Sequence, residues 1–266
     1  VENGSVTFAG DESAICRTNL WLRTADRVLV KMGSFQADTF ESLFQQTKAL
    51  PWDHWLPENA CFPVQGKSIR SKLFSVPDCQ AIVKKAVVEK MKQKYHREWF
   101  DEDGPRYTIE VALLKDEAVL TIDTSGQGLH KRGYRKLSAQ APLKETLAAA
   151  MITLAHWFWD RPLLDPFCGS GTIPVEAALF GLNIAPGLKR SFAAENWSLL
   201  PPGLWQAARE EAQSLIKRDR VLDIMGSDID EKVLSLAGYH AREAGVDKQI
   251  RFRHLPVSRV RAEAEY

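Results

Sequence analysis

The stretch from Leu163 to Thr172 constrains the fold more than any other part of this 266-residue chain. Two leucines form a short apolar strand candidate, an acid and a proline follow, and the turn Gly169-Ser170-Gly171 leads into an alanine-rich helix candidate at 173–180. A strand, a glycine-rich turn and a helix in this order are typical of the carboxyl edge of a doubly wound α/β sheet, where cofactors bind. Glycines in such a turn can adopt positive φ and let a ligand approach the backbone.

The acid at the strand end indicates which cofactor the turn would bind. The turn is not G-x-G-x-x-G, because Pro174 occupies the position of the third glycine, and it is not a Walker loop, because no Gly-Lys-Ser/Thr follows. The carboxylate of Asp165 would repel a pyrophosphate, which disfavours a nicotinamide dehydrogenase. It suits the cationic amino end of S-adenosylmethionine, and we expect this nucleoside as the cofactor.

A second acidic strand end lies in Gly226-Ser227-Asp228-Ile229-Asp230, after a strand candidate from Val221 to Met225. Asp228 is placed to accept hydrogen bonds from both ribose hydroxyls, and Ile229 to pack on the adenine. For either acidic motif alone, an ordinary loop whose Asp caps a helix is the alternative. The two motifs together favour a cofactor site.

The pattern of elements changes along the chain. A periodic helix from Pro77 to about Tyr95 and a hairpin over residues 107–122 are the clearest elements of the first half. Val28 to Met32 predicts a strand that ends at Gly33, and Cys61 to Val64 predicts another. From residue 141, helix candidates separated by short strands indicate an α/β layer with a parallel sheet.

Composition excludes several other classes of protein. The chain has 35 basic and 34 acidic residues, and 45% of its residues are apolar, as in globular proteins. Four dispersed cysteines without a C-x-x-C pair argue against a zinc ribbon and a disulfide scaffold, so we expect a cytoplasmic location and no metal. No segment has the pattern of a signal peptide or a bilayer span, and we expect no membrane partner.

The residues 165–172, D-P-F-C-G-S-G-T, followed by I-P-V-E-A-A, resemble motif I of methyltransferases that act on exocyclic amines of nucleobases. Upstream, Arg132-Gly133-Tyr134-Arg135 and the segment 141–148 resemble the motif that precedes motif I in that group. The stretches 61–64 and 75–80 resemble a THUMP domain. Nearly the whole chain is thus similar to the THUMP-domain RNA methyltransferases, and most closely to the 23S ribosomal RNA guanine-N2 methyltransferases. These are often labelled N6-adenine-specific DNA methylases, because the motifs are shared.

The resemblance implies an α/β fold, in which a Rossmann-like S-adenosylmethionine-dependent methyltransferase domain follows an α+β ferredoxin-like and THUMP region. The expected parts are a partial ferredoxin-like layer at 1–34, a THUMP-like RNA-binding domain at 35–127, a linker at 128–140 and a methyltransferase domain at 141–266, expected to be incomplete at its C-terminus. In the family the segment before motif I supplies a wall of the cofactor pocket. Together with the residue patterns, this predicts the following cofactor contacts: Pro142, Leu143, Asp165, Pro166, Phe167, Gly169, Ser170, Gly171, Thr172, Asp228 and Ile229.

Two basic segments are hidden in the nearly neutral total. Nine Lys or Arg accompany two acids between Cys61 and Arg97, and five accompany none between Gln127 and Lys144. Phosphate contacts supply most of the nonspecific affinity for nucleic acid, so two such segments beside a methyltransferase domain suit a structured RNA. The family resemblance implies that this partner is ribosomal RNA. A solvated helix face is the alternative for the lysines of residues 84–94. The predicted RNA contacts are Lys67, Arg70 and Lys72, placed in a loop, and Lys131, Arg132 and Arg135.

The catalytic motif of the family is absent from these 266 residues. The related amino-methyltransferases carry Asn/Asp/Ser-Pro-Pro-Tyr/Phe, whose polar groups accept hydrogen bonds from the target amine and whose ring stacks on the flipped base. The Pro-Pro at 201–202 follows Leu200, which has no such polar group. We therefore predict no catalytic residue, and N6-adenine methylation of DNA or RNA and a noncatalytic RNA-binding module remain alternatives. We interpret the following side chains as packing or incidental residues: Cys168, His156, His240 and His254.

Overall fold

The protein is described by a computed structural model, which covers residues 4–137 and 143–261. The chain divides into two compact units. The three-stranded unit combines Val1–Asp26, Gly128–Ser191 and Gly203–Tyr266, and the four-stranded unit combines Arg27–Gln127 and Phe192–Pro202. The α/β class predicted from the sequence is confirmed. No helix in the described ranges is both long enough and apolar enough to cross a membrane.

Helices and strands alternate along most of the chain. The strands are β1 (Leu29–Gln36), β2 (Val64–Ile69), β3 (Thr108–Leu114), β4 (Glu117–Asp123), β5 (Leu163–Asp165), β6 (Ile224–Asp228) and β7 (Ile250–His254). The α-helices are α1 (Glu12–Trp21), α2 (Phe40–Ala49), α3 (Trp52–Trp55), α4 (Val76–Tyr95), α5 (Glu145–Leu154), α6 (Thr172–Gly181), α7 (Leu204–Ser214) and α8 (Glu231–Ala244).

The four-stranded unit has the strand order β1-β4-β3-β2, in which only β2 and β3 are parallel. The predicted hairpin is present as β3 and β4, whose turn residues Lys115 and Asp116 have positive φ. Two strand predictions are wrong. Gly33 does not end β1, because a register shift between Lys31 and Gly33 lets the strand continue as a bulge. Cys61 forms only an isolated bridge, so β2 begins at Val64.

The segment Phe192–Pro202 belongs to the four-stranded unit although it lies between β5 and β6 in the sequence. Its anchor is Trp197, which is 3% exposed and stacks on Tyr107 with ring centroids 4.6 Å apart. The indole Nε1 also donates a hydrogen bond to the carbonyl of Arg106, at 3.0 Å. An aromatic stack and a satisfied indole N–H together fix the segment on this unit.

In the three-stranded unit, β5, β6 and β7 form a parallel sheet in that order. Asp165 on β5 is in register with Gly226 on β6, and Asp228 with His254 on β7. Apolar residues of α6, β6 and α8 form the core, with Val175, Ile224 and Ala241 almost inaccessible to solvent. Because the strands are parallel, all three carboxyl ends meet at one edge of the sheet.

A buried ion pair joins the segment before α5 to helix α6. The side chains of Arg132 and Glu176 are 2% and 0% exposed, and their charged groups are 3.3 Å apart. The hydroxyl of Tyr134 donates to Glu176 at 3.2 Å, and Arg132 also donates to the carbonyl of Leu129 at 2.9 Å. Burial raises the pKa of Glu176, while Arg132 lowers it. The carboxylate is tolerated in this core because the guanidinium and the hydroxyl compensate it.

We predict that Glu176→Gln lowers the free energy of unfolding by about 3 kcal/mol, because it leaves the Arg132 charge buried without an anion. Glu211→Gln is the matched control, since Glu211 pairs with Arg17 in solvent and such exposed pairs contribute little. Urea unfolding followed by circular dichroism measures both variants. Equal midpoints for the two variants would show that the buried pair does not stabilise the unit.

Candidate functional site

Two acids meet at the carboxyl edge of the three-stranded sheet. The Asp228 Oδ2 atom at the end of β6 accepts a hydrogen bond of 2.9 Å from the amide of Gly169, in the turn that follows β5. The Asp165 Oδ1 atom at the end of β5 accepts one of 3.1 Å from the amide of Phe167. The structure therefore brings together the two strand-end acids and the glycine turn that the sequence analysis singled out separately.

The two carboxylates at this edge are close enough for the charge of Asp228 to act on Asp165. Burial raises the pKa of Asp165, the negative charge of Asp228 raises it further, and the Phe167 amide opposes both. Within residues 4–137 and 143–261, neither acid forms an ion pair with Lys, Arg or His. A partly buried carboxylate beside a second one favours a ligand that brings a positive charge.

The two glycines of the turn are needed for different reasons. Both have positive φ, 52° at Gly169 and 82° at Gly171. A Cβ at Gly169 would have no atom within 4 Å, so the space in front of this residue is open. A Cβ at Gly171 would lie 2.9 Å from the Cβ of Ala237 and 3.2 Å from the ring of Phe252. Gly169 thus leaves room for a ligand, whereas Gly171 lets the turn pack against α8 and β7.

The other predicted cofactor contacts lie around this turn and differ in how exposed they are to solvent. Phe167 and Ile229 are 71% and 72% exposed, which leaves two large apolar side chains at the strand ends. Ser170 is buried, and Pro166 and Leu143 are partly buried. The buried Thr172 begins α6, and its hydroxyl accepts a hydrogen bond of 2.6 Å from Arg135. Pro142 lies outside the described residues.

Two of the predicted RNA contacts are wrong, because their charges are satisfied inside the protein. Arg132 is buried in the pair with Glu176. Arg135 is 14% exposed, lies 3.3 Å from the carboxylate of Glu145 and donates to the carbonyl of Leu143 at 3.3 Å. Glu176 and Glu145 are each the only charged residue of their helix, which was the available signal that each needs a buried cation. Arg135 and Glu145 thus support the glycine turn and its wall, a role that the motif comparison did not predict.

The remaining predicted RNA contacts are accessible. Lys67, Arg70, Lys72 and Lys131 are exposed. Lys67 lies within β2 and not in a loop, which corrects its predicted setting, and Arg70 follows the strand with a positive φ of 51°. The ammonium of Lys72 is 2.9 Å from Asp38. In the described part of the chain, Lys67 and Arg70 form no ion pair.

Three of the five lysines of α4 pair with neighbouring acids. Lys84 pairs with Glu102 at 2.5 Å, Lys92 with Glu98 at 2.7 Å, and Lys90 lies 3.8 Å from Asp53. These contacts favour the alternative of a solvated helix face for residues 84–94.

Cys168 is buried in the glycine turn, and burial raises the pKa of its thiol to about 12. This is expected for a packing residue and not for a nucleophile.

Comparison with known proteins assigns the chain to a family. Residues 132–266 match the methyltransferase domain described as RMKL-like, residues 37–123 match the THUMP domain, and residues 1–29 match the RlmL ferredoxin-like domain. The chain belongs to the RMKL-like methyltransferases. It is 52% identical over 268 residues to YpsC of Bacillus subtilis (strain 168), which is named as a candidate RNA methyltransferase, and the match covers 100% of this chain and 70% of YpsC.

Solved structures of similar proteins show the same fold as this RMKL-like methyltransferase. A Listeria monocytogenes protein described as an N6-adenine-specific DNA methylase by prediction is 55% identical, with a TM-score of 0.94 over 97% of this chain and 68% of that one. SMU.472, titled as a candidate methyltransferase complexed with SAH, is 43% identical, with a TM-score of 0.91 over 96% of this chain and 68% of its own. The predicted family, the fold and the S-adenosylmethionine-dependent methyltransferase class are confirmed.

We predict that Gly171→Ala destabilises the protein by about 1–3 kcal/mol more than Gly169→Ala. Both substitutions force a Cβ into a positive-φ position, so the cost of the backbone conformation is similar. Only the alanine at 171 also meets Ala237 and Phe252. Thermal unfolding of the two variants measures the difference, and an equal loss at both positions would contradict the packing role of Gly171.

Proposed function

We propose that the chain acts in an S-adenosylmethionine-dependent RNA methyltransferase whose target is guanine N2 of 23S ribosomal RNA. The observation that carries the cofactor assignment is the pair of carboxylates, Asp165 and Asp228, which lie beside an open glycine turn and have no basic partner among the residues that the structure describes. S-adenosylmethionine brings a cationic amino group and an electrophilic methyl on a sulfonium. The complex of SMU.472 with SAH supports the same ligand class at this fold.

The two acids have separate proposed roles. Asp165 binds the amino group of the methionine part, and Gly169 allows the ligand to approach the backbone. Asp228 binds the ribose hydroxyls: each of its oxygens accepts one amide hydrogen bond, from Gly169 and from Asp230, and each retains a second lone pair. Asp230 is less suited to this role, because its carboxylate caps α8 by accepting from the amide of Lys232 at 2.9 Å.

Apolar and backbone groups complete the proposed pocket. Ile229 packs on the adenine, and Pro142 and Leu143 form the wall before α5. The further proposed contacts are those of the strand end and the turn: Pro166, Phe167, Ser170 and Thr172. Loss of the reacting proton needs no histidine in this proposal, because methyl transfer depends mainly on alignment of the amine with the sulfonium.

We also propose the domain boundaries 1–34, 35–127, 128–140 and 141–266 for the ferredoxin-like part, the THUMP domain, the linker and the methyltransferase domain. The matches over 1–29 and 37–123 lie within the first two of these parts, whereas the methyltransferase match begins at residue 132, inside the proposed linker. RNA is the proposed partner because a THUMP domain accompanies the methyltransferase domain and because YpsC is named as a candidate RNA methyltransferase. The proposed phosphate contacts are Lys67, Arg70, Lys72 and Lys131.

We predict that Asp165→Asn weakens SAH binding by roughly 10- to 100-fold, since a hydrogen bond to a charged group contributes about 1.5–3 kcal/mol. Titration calorimetry with SAH measures the affinity. Asp223→Asn is the matched control, because Asp223 is exposed before β6 and pairs with Arg251 at 2.5 Å. Binding of equal strength by Asp165→Asn and the parent chain, or no binding by the parent, would refute the cofactor site.

The same titration has a predicted pH dependence. Burial raises the pKa of Asp165, so its carboxylate becomes protonated at a higher pH than an ordinary aspartate does. Affinity for SAH should therefore increase as the pH rises through the range in which the Asp165 side chain loses its proton. In Asp165→Asn this increase should be absent.

We predict that deleting the gene for this chain removes one N2-methylguanine from 23S ribosomal RNA of the source organism. Nucleoside mass spectrometry of ribosomal RNA, followed by mapping of the site, measures the loss. Loss of an N6-methyladenine instead would identify the adenine alternative, and unchanged RNA would contradict the proposed substrate.

Complementation of the deletion tests the proposed phosphate contacts. A gene that carries Lys67→Ala and Arg70→Ala should restore less methylation than the matched gene with Lys90→Ala and Lys92→Ala, whose lysines are already paired with acids.

A further inference from the structure

The imidazole of His240 connects the glycine turn of the proposed cofactor site to two neighbouring segments of the chain. This residue lies in α8, the helix that follows Asp228, and it is 0% exposed. Its Nδ1 atom is 3.0 Å from the carbonyl oxygen of Ser170, in the middle of the glycine turn. Its Nε2 atom is 3.1 Å from the carbonyl oxygen of Leu137, after the Arg132–Arg135 segment. Interpreting His240 as incidental is therefore wrong, since one buried ring connects all three.

The chemistry of the contacts requires the histidine to be the donor. Carbonyl oxygens only accept hydrogen bonds, so a ring nitrogen bonds to one of them only when it carries a proton. The doubly protonated ring satisfies both carbonyls, and either neutral tautomer satisfies one. Substitution by a residue without a donor leaves both buried carbonyls without this partner, which is unfavourable.

The Ser170 carbonyl lies at the centre of the glycine turn. Ser170 stands between Gly169 and Gly171, the two residues with the greatest conformational freedom in the turn. Other hydrogen bonds fix its flanks, from the amide of Gly171 to the carbonyl of Cys168 at 2.8 Å and from the amide of Gly169 to Asp228 at 2.9 Å. The contact with His240 fixes the peptide group between them.

We infer that His240 is a positioning residue for cofactor binding: by holding the Ser170 carbonyl, it keeps Gly169 and Asp228 in the geometry that the cofactor meets. The inference rests on the proposed function, because it takes the glycine turn as the cofactor site. His240 does not touch the proposed ligand and is not a catalytic residue. The Leu137 contact is secondary, because Arg135 already joins that segment to Thr172 at the start of α6.

Two amide variants separate the two contacts. In His240→Asn the side-chain amide nitrogen takes the position of Nδ1 and can still donate to Ser170, whereas in His240→Gln it takes the position of Nε2 and can still donate to Leu137. Calorimetry with SAH should give His240→Asn an affinity within about threefold of the parent, and His240→Gln an affinity weaker by about tenfold, as expected for one unmade hydrogen bond. His240→Phe, which keeps a ring but no donor, should resemble His240→Gln.

Hydrogen exchange without any ligand provides the readout that is independent of the cofactor. Peptides that cover residues 165–173 should exchange faster in His240→Gln than in the parent, and His240→Asn should restore the slow rate. Peptides from β3, in the other unit, are the internal control and should not change. The same affinity and exchange in His240→Gln as in the parent, or equal losses in both amide variants, would overturn the inference. Failure of the parent to bind SAH, with the exchange pattern as expected, would refute the proposed function but not the positioning of the turn.

Discussion

A carboxylate inside an alanine-rich helix sets the architecture of the three-stranded unit. Glu176 is fully buried on α6, and such a charge is tolerated only with a partner that is equally buried. Arg132 and Tyr134 supply that partner from a segment more than 40 residues earlier, so the segment must lie against α6. Because α6 begins at the glycine turn, the same ion pair also keeps the segment of Arg132 and Tyr134 close to that turn. Arg135, bound to Thr172 and Glu145, repeats the arrangement one helical turn closer to the site.

Carboxylates in the interior of this unit and those at the edge of its sheet differ in whether a basic side chain pairs with them. Glu176 and Glu145 each have an arginine within 3.3 Å. Asp165 and Asp228 are close enough for the second to raise the pKa of the first, yet in the described ranges neither is paired with a basic side chain. If stability were the sole requirement, a basic side chain beside the carboxylates would be favourable both in the interior and at the edge. The uncompensated pair is therefore best explained by a ligand that supplies the missing charge, which is the physical basis of the proposed cofactor site.

Local patterns in the sequence predicted the elements that depend on local interactions. The hairpin of β3 and β4, the long helix α4 and the strand–turn–helix of β5 and α6 all carry their periodicity or turn residues within one short window. The strand-end acids could be predicted for the same reason, because each directly follows its apolar strand. Gly33 failed as a strand end because a bulge, which depends on pairing with β4, absorbs the glycine. The role of His240 could not be predicted, since its two partners are backbone carbonyls remote in sequence.

Counting basic residues along the sequence overestimated the number of unpaired cations for a related reason. A count of Lys and Arg in a segment records formal charge but not whether an acid elsewhere already neutralises it. Between residues 61 and 97, acids pair with Lys72, Lys84, Lys90, Lys92 and Arg97. An ion pair must be broken or shared before its cation can neutralise a phosphate. Lys67 and Arg70 form no such pair in the described part of the chain, although the charge of Lys67 does act on Glu110, where burial raises the pKa and Lys67 lowers it. Among the proposed phosphate contacts of the four-stranded unit, Lys67 and Arg70 are therefore the two that form no ion pair within the described ranges, whereas Lys72 is paired with Asp38.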